Sequence, residues 1–152
     1  YLYLVAYTPA PGTGLREIHT GISYDLTTVS GVDIFRWNLC ADGETPSAGW
    51  FQEGGDNIIS WDEGDCPADS FEVAGYFYAA AYTPSQFALV PPAADSARVT
   101  RCGGDRIALD PTALGIIGFG GDAGCNPCTE ACMYVPVEPT TWSTIKSFFR
   151  SR

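Results

Sequence analysis

Apolar and polar residues alternate with a period of two in short stretches along this chain. Residues 17–24 are the clearest case. Ile18, Thr20, Ile22 and Tyr24 fall on one side, Glu17, His19, Gly21 and Ser23 on the other, as a strand requires. Residues 32–40 predict another strand, with Phe35, Trp37 and Leu39 on one face and Arg36 and Asn38 opposite. Residues 1–7 put Tyr1, Tyr3, Val5 and Tyr7 on one face and Leu2, Leu4 and Ala6 on the other. Both faces are apolar, which predicts burial on two sides. Residues 57–61, 71–82, 87–90, 97–102, 106–109 and 115–119 complete about nine strands, spaced as in a sandwich or barrel. The expected fold is an all-β, disulfide-stapled antiparallel sandwich of jelly-roll type over residues 1–139.

The pattern changes at the end. Thr141 is a suitable N-cap, and Trp142, Ile145 and Phe149 share one helical face at i, i+3, i+7 spacing. Residues 140–152 therefore predict a short amphipathic helix. A helix this short is marginal alone, so its apolar side chains need a surface to pack on.

Charge sharpens this division. All eighteen acids precede residue 140, whereas the tail carries Lys146, Arg150 and Arg152 and no acid. An acidic body and a cationic tail favour docking of one on the other, within a chain or between copies. The net charge of −10 argues against nucleic acid, whose phosphates need a basic surface. No apolar run approaches the ~20 residues of a membrane helix. The chain opens Tyr1-Leu2-Tyr3-Leu4 without a methionine, which suggests a secreted protein that has lost its signal peptide.

Six cysteines suit an oxidising, extracellular or cell-surface location. The expected pairs are Cys40–Cys66, Cys102–Cys128 and Cys125–Cys132. Cys125-Asn126-Pro127-Cys128 also has the C-x-x-C spacing of redox and zinc sites. It lacks the strand-to-helix setting of the first and the second ligand pair of the other.

Catalytic chemistry finds little support. His19 is the single histidine and no nucleophile motif accompanies it, so it is expected to be a surface residue and the protein a non-enzyme. Asp62, Glu63 and Asp65 share one acidic loop and could offer oxygens to calcium, but the pattern of a calcium-binding hand is missing. No other cofactor is expected. Trp50 and Phe51, in a Gly-rich loop, are the candidates for an exposed contact with carbohydrate or protein, whereas Trp37 and Trp61 suit a core.

Gly21-Ile22-Ser23-Tyr24-Asp25 followed by Val32-Asp33-Ile34-Phe35 resembles the strand pair that opens cohesin-type sandwiches, which implies a module that binds a partner. A longer set comprises Trp37-x-Leu39-Cys40-Ala41-Asp42, Asn57-Ile58-Ile59-Ser60-Trp61-Asp62, Ala74-Gly75-Tyr76-Phe77-Tyr78, Gly118-Phe119-Gly120-Gly121 and Asn126-Pro127-Cys128. It is similar to small secreted, Cys-containing β-sandwich proteins of unknown function from uncultivated bacteria. Thr140-Thr141-Trp142-x-x-Ile145-Lys146 resembles a C-terminal tail recurrent in such secretomes. The leading expectation is a structural subunit of an extracellular filament or surface assembly. It would associate with itself through Tyr1, Tyr3, Val5 and Tyr7 and through Trp142, Ile145, Phe149, Lys146, Arg150 and Arg152. The rival expectation is a secreted monomeric module for carbohydrate or a cohesin-type partner.

Overall fold

The computed structural model describes residues 1–7, 12–26, 31–69, 71–121, 123–127 and 130–132. The tail 140–152, with its expected helix and the six side chains assigned to self-association there, lies outside the described residues. So does Cys128. Among the described residues the chain is all-β, with ten antiparallel strands in two packed sheets and two short 3-10 turns, Glu63–Asp65 and Pro111–Ala113. None of their helices is long and apolar enough to cross a membrane.

The strands are β1 (Leu2–Tyr7), β2 (Glu17–Tyr24), β3 (Val32–Leu39), β4 (Gly43–Pro46), β5 (Asp56–Ser60), β6 (Phe71–Ala81), β7 (Ser85–Val90), β8 (Arg98–Thr100), β9 (Arg106–Ala108) and β10 (Ile116–Phe119). The short sheet has the order β1-β6-β3, and the large sheet runs β10-β7-β2-β5-β4. β2 divides its partners along one side. Its first half, Glu17–His19, pairs with β8, and its second half, Gly21–Tyr24, with β7. β9 pairs with β8, so the large sheet forks beside β2.

The alternation in β2 is realised, since Ile18, Thr20, Ile22 and Tyr24 are all buried between the sheets. Phe77 of β6 meets Phe87 of β7 across the sandwich at 5.1 Å between ring centroids. Trp37 lies against Phe77 at 4.6 Å, over the backbone of β6. Gly75 makes this possible, because a Cβ there would stand 2.3 Å from the Trp37 ring.

Two bulges set which side chains leave the core. In β6 the register against β1 jumps from Val5↔Val73 to Leu4↔Gly75, leaving Ala74 as the extra residue. A one-residue insertion exchanges the faces of everything beyond it. Phe71 and Val73 therefore point outward before the bulge, and Tyr76 and Tyr78 point the same way after it. In β3 the register against β6 passes from Ile34↔Ala79 to Arg36↔Tyr78, leaving out Phe35. This corrects the expectation that Phe35 shares a face with Trp37 and Leu39. Phe35 is exposed, while the other two pack against the core.

The disulfides also differ from expectation. Cys66 pairs with Cys102, and Cys125 with Cys132, while Cys40 is free and exposed at the end of β3. Only the Cys125–Cys132 pair was expected. The strap before β2 explains the exchange. Leu15 N–H donates to the Pro67 carbonyl at 2.9 Å, and Arg16 N–H to the Thr100 carbonyl at 2.8 Å, which draws the loops carrying Cys66 and Cys102 together. Gly14, at φ 61°, leaves room for the bridge, since a Cβ there would lie 2.0 Å from the Cys102 sulfur.

Candidate functional site

β1 is the edge of the short sheet, and among the described residues it pairs only with β6. Its inner side chains meet the core, with Leu4 buried and Leu2 and Ala6 packed against the cluster. Its outer side chains are uncovered: Tyr1 is 74% exposed and Tyr3 60%, with Val5 and Tyr7 also exposed. The expected burial on both faces is corrected here. Apolar composition gave the strand two sticky faces, and the described chain covers only one.

Tyr1 and the three outward residues of β1 join a larger surface. Cross-strand pairing sets Tyr3 opposite Tyr76, Val5 opposite Val73 and Tyr7 opposite Phe71. Rings touch in sequence from Phe35 to Tyr78 at 5.4 Å, Tyr78 to Tyr1 at 5.5 Å, Tyr1 to Tyr76 at 5.6 Å and Tyr76 to Tyr3 at 5.7 Å. Tyr7 and Phe71 continue the surface at 4.8 Å. The exposed apolar side chains are contiguous, unlike the singly scattered ones of an ordinary surface. The rings are tilted against one another by 36–77°. They form a corrugated sheet face and not the coplanar platform that suits stacking on a sugar chain. Phe35, Phe71, Val73, Tyr76 and Tyr78 were not assigned to this surface from sequence. The readable signal was the alternation Phe71-x-Val73, interrupted at Ala74-Gly75 and resumed at Tyr76-x-Tyr78.

Beneath the edge of β1 lies a cleft of about 1040 Å³. Leu2 to Tyr7 line one wall consecutively, so β1 presents its edge as well as a face. Leu114 to Gly118 line the opposite wall, and Ile18, Phe87 and Leu89 form part of the floor.

Other candidates disperse. Trp50 and Phe51 fold back onto the core, with Trp50 edge-on to Trp37 at 5.3 Å and the Phe51 carbonyl accepting from the Tyr24 hydroxyl at 3.2 Å. Their packing against the core corrects the exposed position expected of them. Glu63 approaches Arg16 at 3.8 Å, and the Asp62 amide donates to the Asp42 carboxylate at 2.9 Å. The side chain of Asp65 lies outside the description. Among the described residues no three His, Cys, Asp or Glu side chains converge to hold a metal.

His19 is buried, at 7% exposure, which corrects the expected surface histidine. Its Nε2 lies 3.3 Å from Asp56 Oδ1 and its Nδ1 3.7 Å from Asp95 Oδ2. Asp95 is in turn paired with Arg98, which reaches Glu17 at 3.8 Å. The backbone N–H of Ser96, followed by the Arg98 charge, holds the Asp95 carboxyl below its ordinary range. Two carboxylates thus flank the imidazole, in a network that ties β2 to the loops beside it. No protein family, curated protein or solved structure matches this chain.

Proposed function

We propose that this chain is a self-associating structural subunit of an extracellular filament or surface assembly. The observation that carries the reading is the contiguous apolar face running from Phe35 through Tyr78, Tyr76 and Tyr3 to Tyr7 and Phe71. Tyr3, Val5 and Tyr7 of it belong to the N-terminal strand, and Tyr1 directly precedes that strand. Tyrosine is enriched at protein interfaces because it buries a large ring at small entropic cost. The acidic body and the cations of residues 140–152 provide a charge complement between copies. The two disulfides support an oxidising compartment.

Magnitudes set the test. Burying a large apolar side chain contributes about 1.5–3 kcal/mol, and association itself costs about 4–15 kcal/mol. Several rings must act together, so removing two should weaken association by well over 10-fold. The full chain and Tyr3→Ser/Tyr78→Ser are compared by sedimentation velocity and negative-stain electron microscopy. Oligomers or fibres of the full chain that the double variant loses, with its circular dichroism unchanged, are expected. A full chain that stays monomeric at all concentrations overturns the reading. A monomer whose glycan binding is abolished by the same double change would instead be a carbohydrate-binding module.

A further inference from the structure

Four tyrosines of the short sheet stand as two adjacent cross-strand pairs. Tyr3 lies opposite Tyr76 in the ladder, with ring centroids 5.7 Å apart and a tilt of 44°. One step further along, Tyr1 meets Tyr78 at 5.5 Å and 37°. The Cys40 N–H donates to the Ala74 carbonyl, so Tyr76 and Tyr78, in the same phase of β6, turn their backbone groups toward β3. Tyr3 and Tyr76 therefore form a non-hydrogen-bonded pair, in which Cα atoms approach to about 4.5 Å and the side chains lie closest. Tyr1, Tyr3 and Tyr78 are exposed and Tyr76 is half-buried, so both pairs open to solvent.

Phenols held side by side and open to solvent have a chemistry of their own. A one-electron oxidant removes one electron and one proton from each hydroxyl, and the two phenoxyl radicals join through ring carbons next to the oxygens. The hydrogens on those carbons pass to the oxygens, so both hydroxyls are restored. Hydrogen peroxide, acting through a haem peroxidase, accepts the two electrons and two protons and leaves as two waters. The neighbouring positions cannot react in this way. Val5 stands opposite Val73, Tyr7 meets Phe71, which has no hydroxyl, and Tyr24 is buried. The two disulfides suit the same oxidising surroundings.

We propose that Tyr3–Tyr76 and Tyr1–Tyr78 are a modification site for oxidative dityrosine coupling within one chain, with hydrogen peroxide and a haem peroxidase as co-reactants. A carbon–carbon bond at either pair ties the N-terminal segment to β6 and fixes β1 on the short sheet. It constrains the unfolded chain as a disulfide does. The Cys66–Cys102 bridge leaves β1 outside its ring, so the two cross-links hold different parts of the sandwich. The proposal concerns the single chain and holds whether or not copies associate.

The test treats the full chain with a haem peroxidase and limiting hydrogen peroxide, at concentrations where it is monomeric. Isotopically light and heavy chains are mixed equally, and the products are reduced, alkylated and digested with trypsin. Dityrosine fluorescence is expected, with a mass loss of two hydrogens carried by fragment 1–16 joined to fragment 37–98 of the same isotope. Tyr76→Phe combined with Tyr78→Phe keeps the rings and should remove that junction, whereas Tyr7→Phe and Tyr82→Phe should leave it. Absence of coupling, coupling confined to other tyrosines, or junctions only between different isotopes would overturn the proposal. So would a junction that survives in the Tyr76→Phe/Tyr78→Phe chain, or one lost equally with Tyr7→Phe and Tyr82→Phe.

Discussion

Ile117 and Phe87 are directly paired neighbours on β10 and β7, and only Phe87 is covered. The short sheet shields β7 and stops before β10. The sandwich is thus asymmetric, with a dense interior around Phe77 and Phe87 and an apolar margin beyond β1.

This asymmetry predicts opposite responses from adjacent positions of β1. Leu4→Ala should lower stability by about 2–4 kcal/mol, because Leu4 is buried in the core. Val5→Ser should cost less than about 1 kcal/mol in the monomer, because Val5 points outward. Urea midpoints of the two variants check the contrast, and equal losses would contradict one-sided burial.

The bulge at Ala74 should be indispensable. Deleting that residue restores regular pairing and exchanges the faces on one side of it. Either Phe71 and Val73 turn inward, or Phe77 leaves the core. Loss of the near-ultraviolet circular dichroism of the aromatic core, or failure to obtain folded protein, is expected. Ala74→Gly, which keeps the residue count, should fold.

Thiol chemistry should separate the cysteines. The native chain should react at Cys40 with iodoacetamide, while Cys66, Cys102, Cys125 and Cys132 stay protected until reduction. Converting both Cys66 and Cys102 to Ser should cost about 4 kcal/mol, from the closure entropy of a loop spanning 36 positions. Loss of the shorter Cys125–Cys132 bridge, spanning 7 positions, should cost about 2 kcal/mol on the same basis.

Alkaline pH should act through Tyr24. Burial, followed by the charge of Glu53, pushes its hydroxyl up from 10.0 to about 12. The folded state therefore favours the neutral phenol. That contribution is fully present below pH 10, the unfolded value, and is lost as pH rises from 10 to about 12. Tyr24→Phe should flatten the decline in thermal midpoint over this window. An unchanged decline would place the alkaline transition elsewhere.

Much of the fold was legible in the sequence, and the reasons for the misses are local. Residues 17–24 alternate without interruption and form β2 at those bounds. β4 carries no strand pattern, because Gly43-Glu44-Thr45-Pro46 has no apolar residue, and only its ladder with β5 makes it a strand. The alternation sets His19 on the outward face of β2 with Glu17, Gly21 and Ser23, yet it is buried. The turn at Gly54 and Gly55 bonds back to Ile22, and the loop at Asp95 closes over the histidine. The outward face of β1 shows the converse. The alternation in residues 1–7 puts Tyr1, Tyr3 and Tyr7 on one face, but their neighbours on β6 depend on a bulge that shifts the pattern by one position. A pairing such as Cys66–Cys102 depends on where the strap 12–16 runs, which strand periodicity does not encode.

The Cys66–Cys102 bridge has a mechanical consequence. The covalent ring it closes contains β6, β7 and β8, so it includes strands from both sheets. Tension applied to the ends of the chain cannot draw out this ring. Its 36 positions, at roughly 3.4 Å each, withhold about 120 Å of extension. Under load β1 to β5, β9 and the segments after it can be pulled away, while Phe77 and Phe87 stay tethered and ready to re-form the core when the force is released.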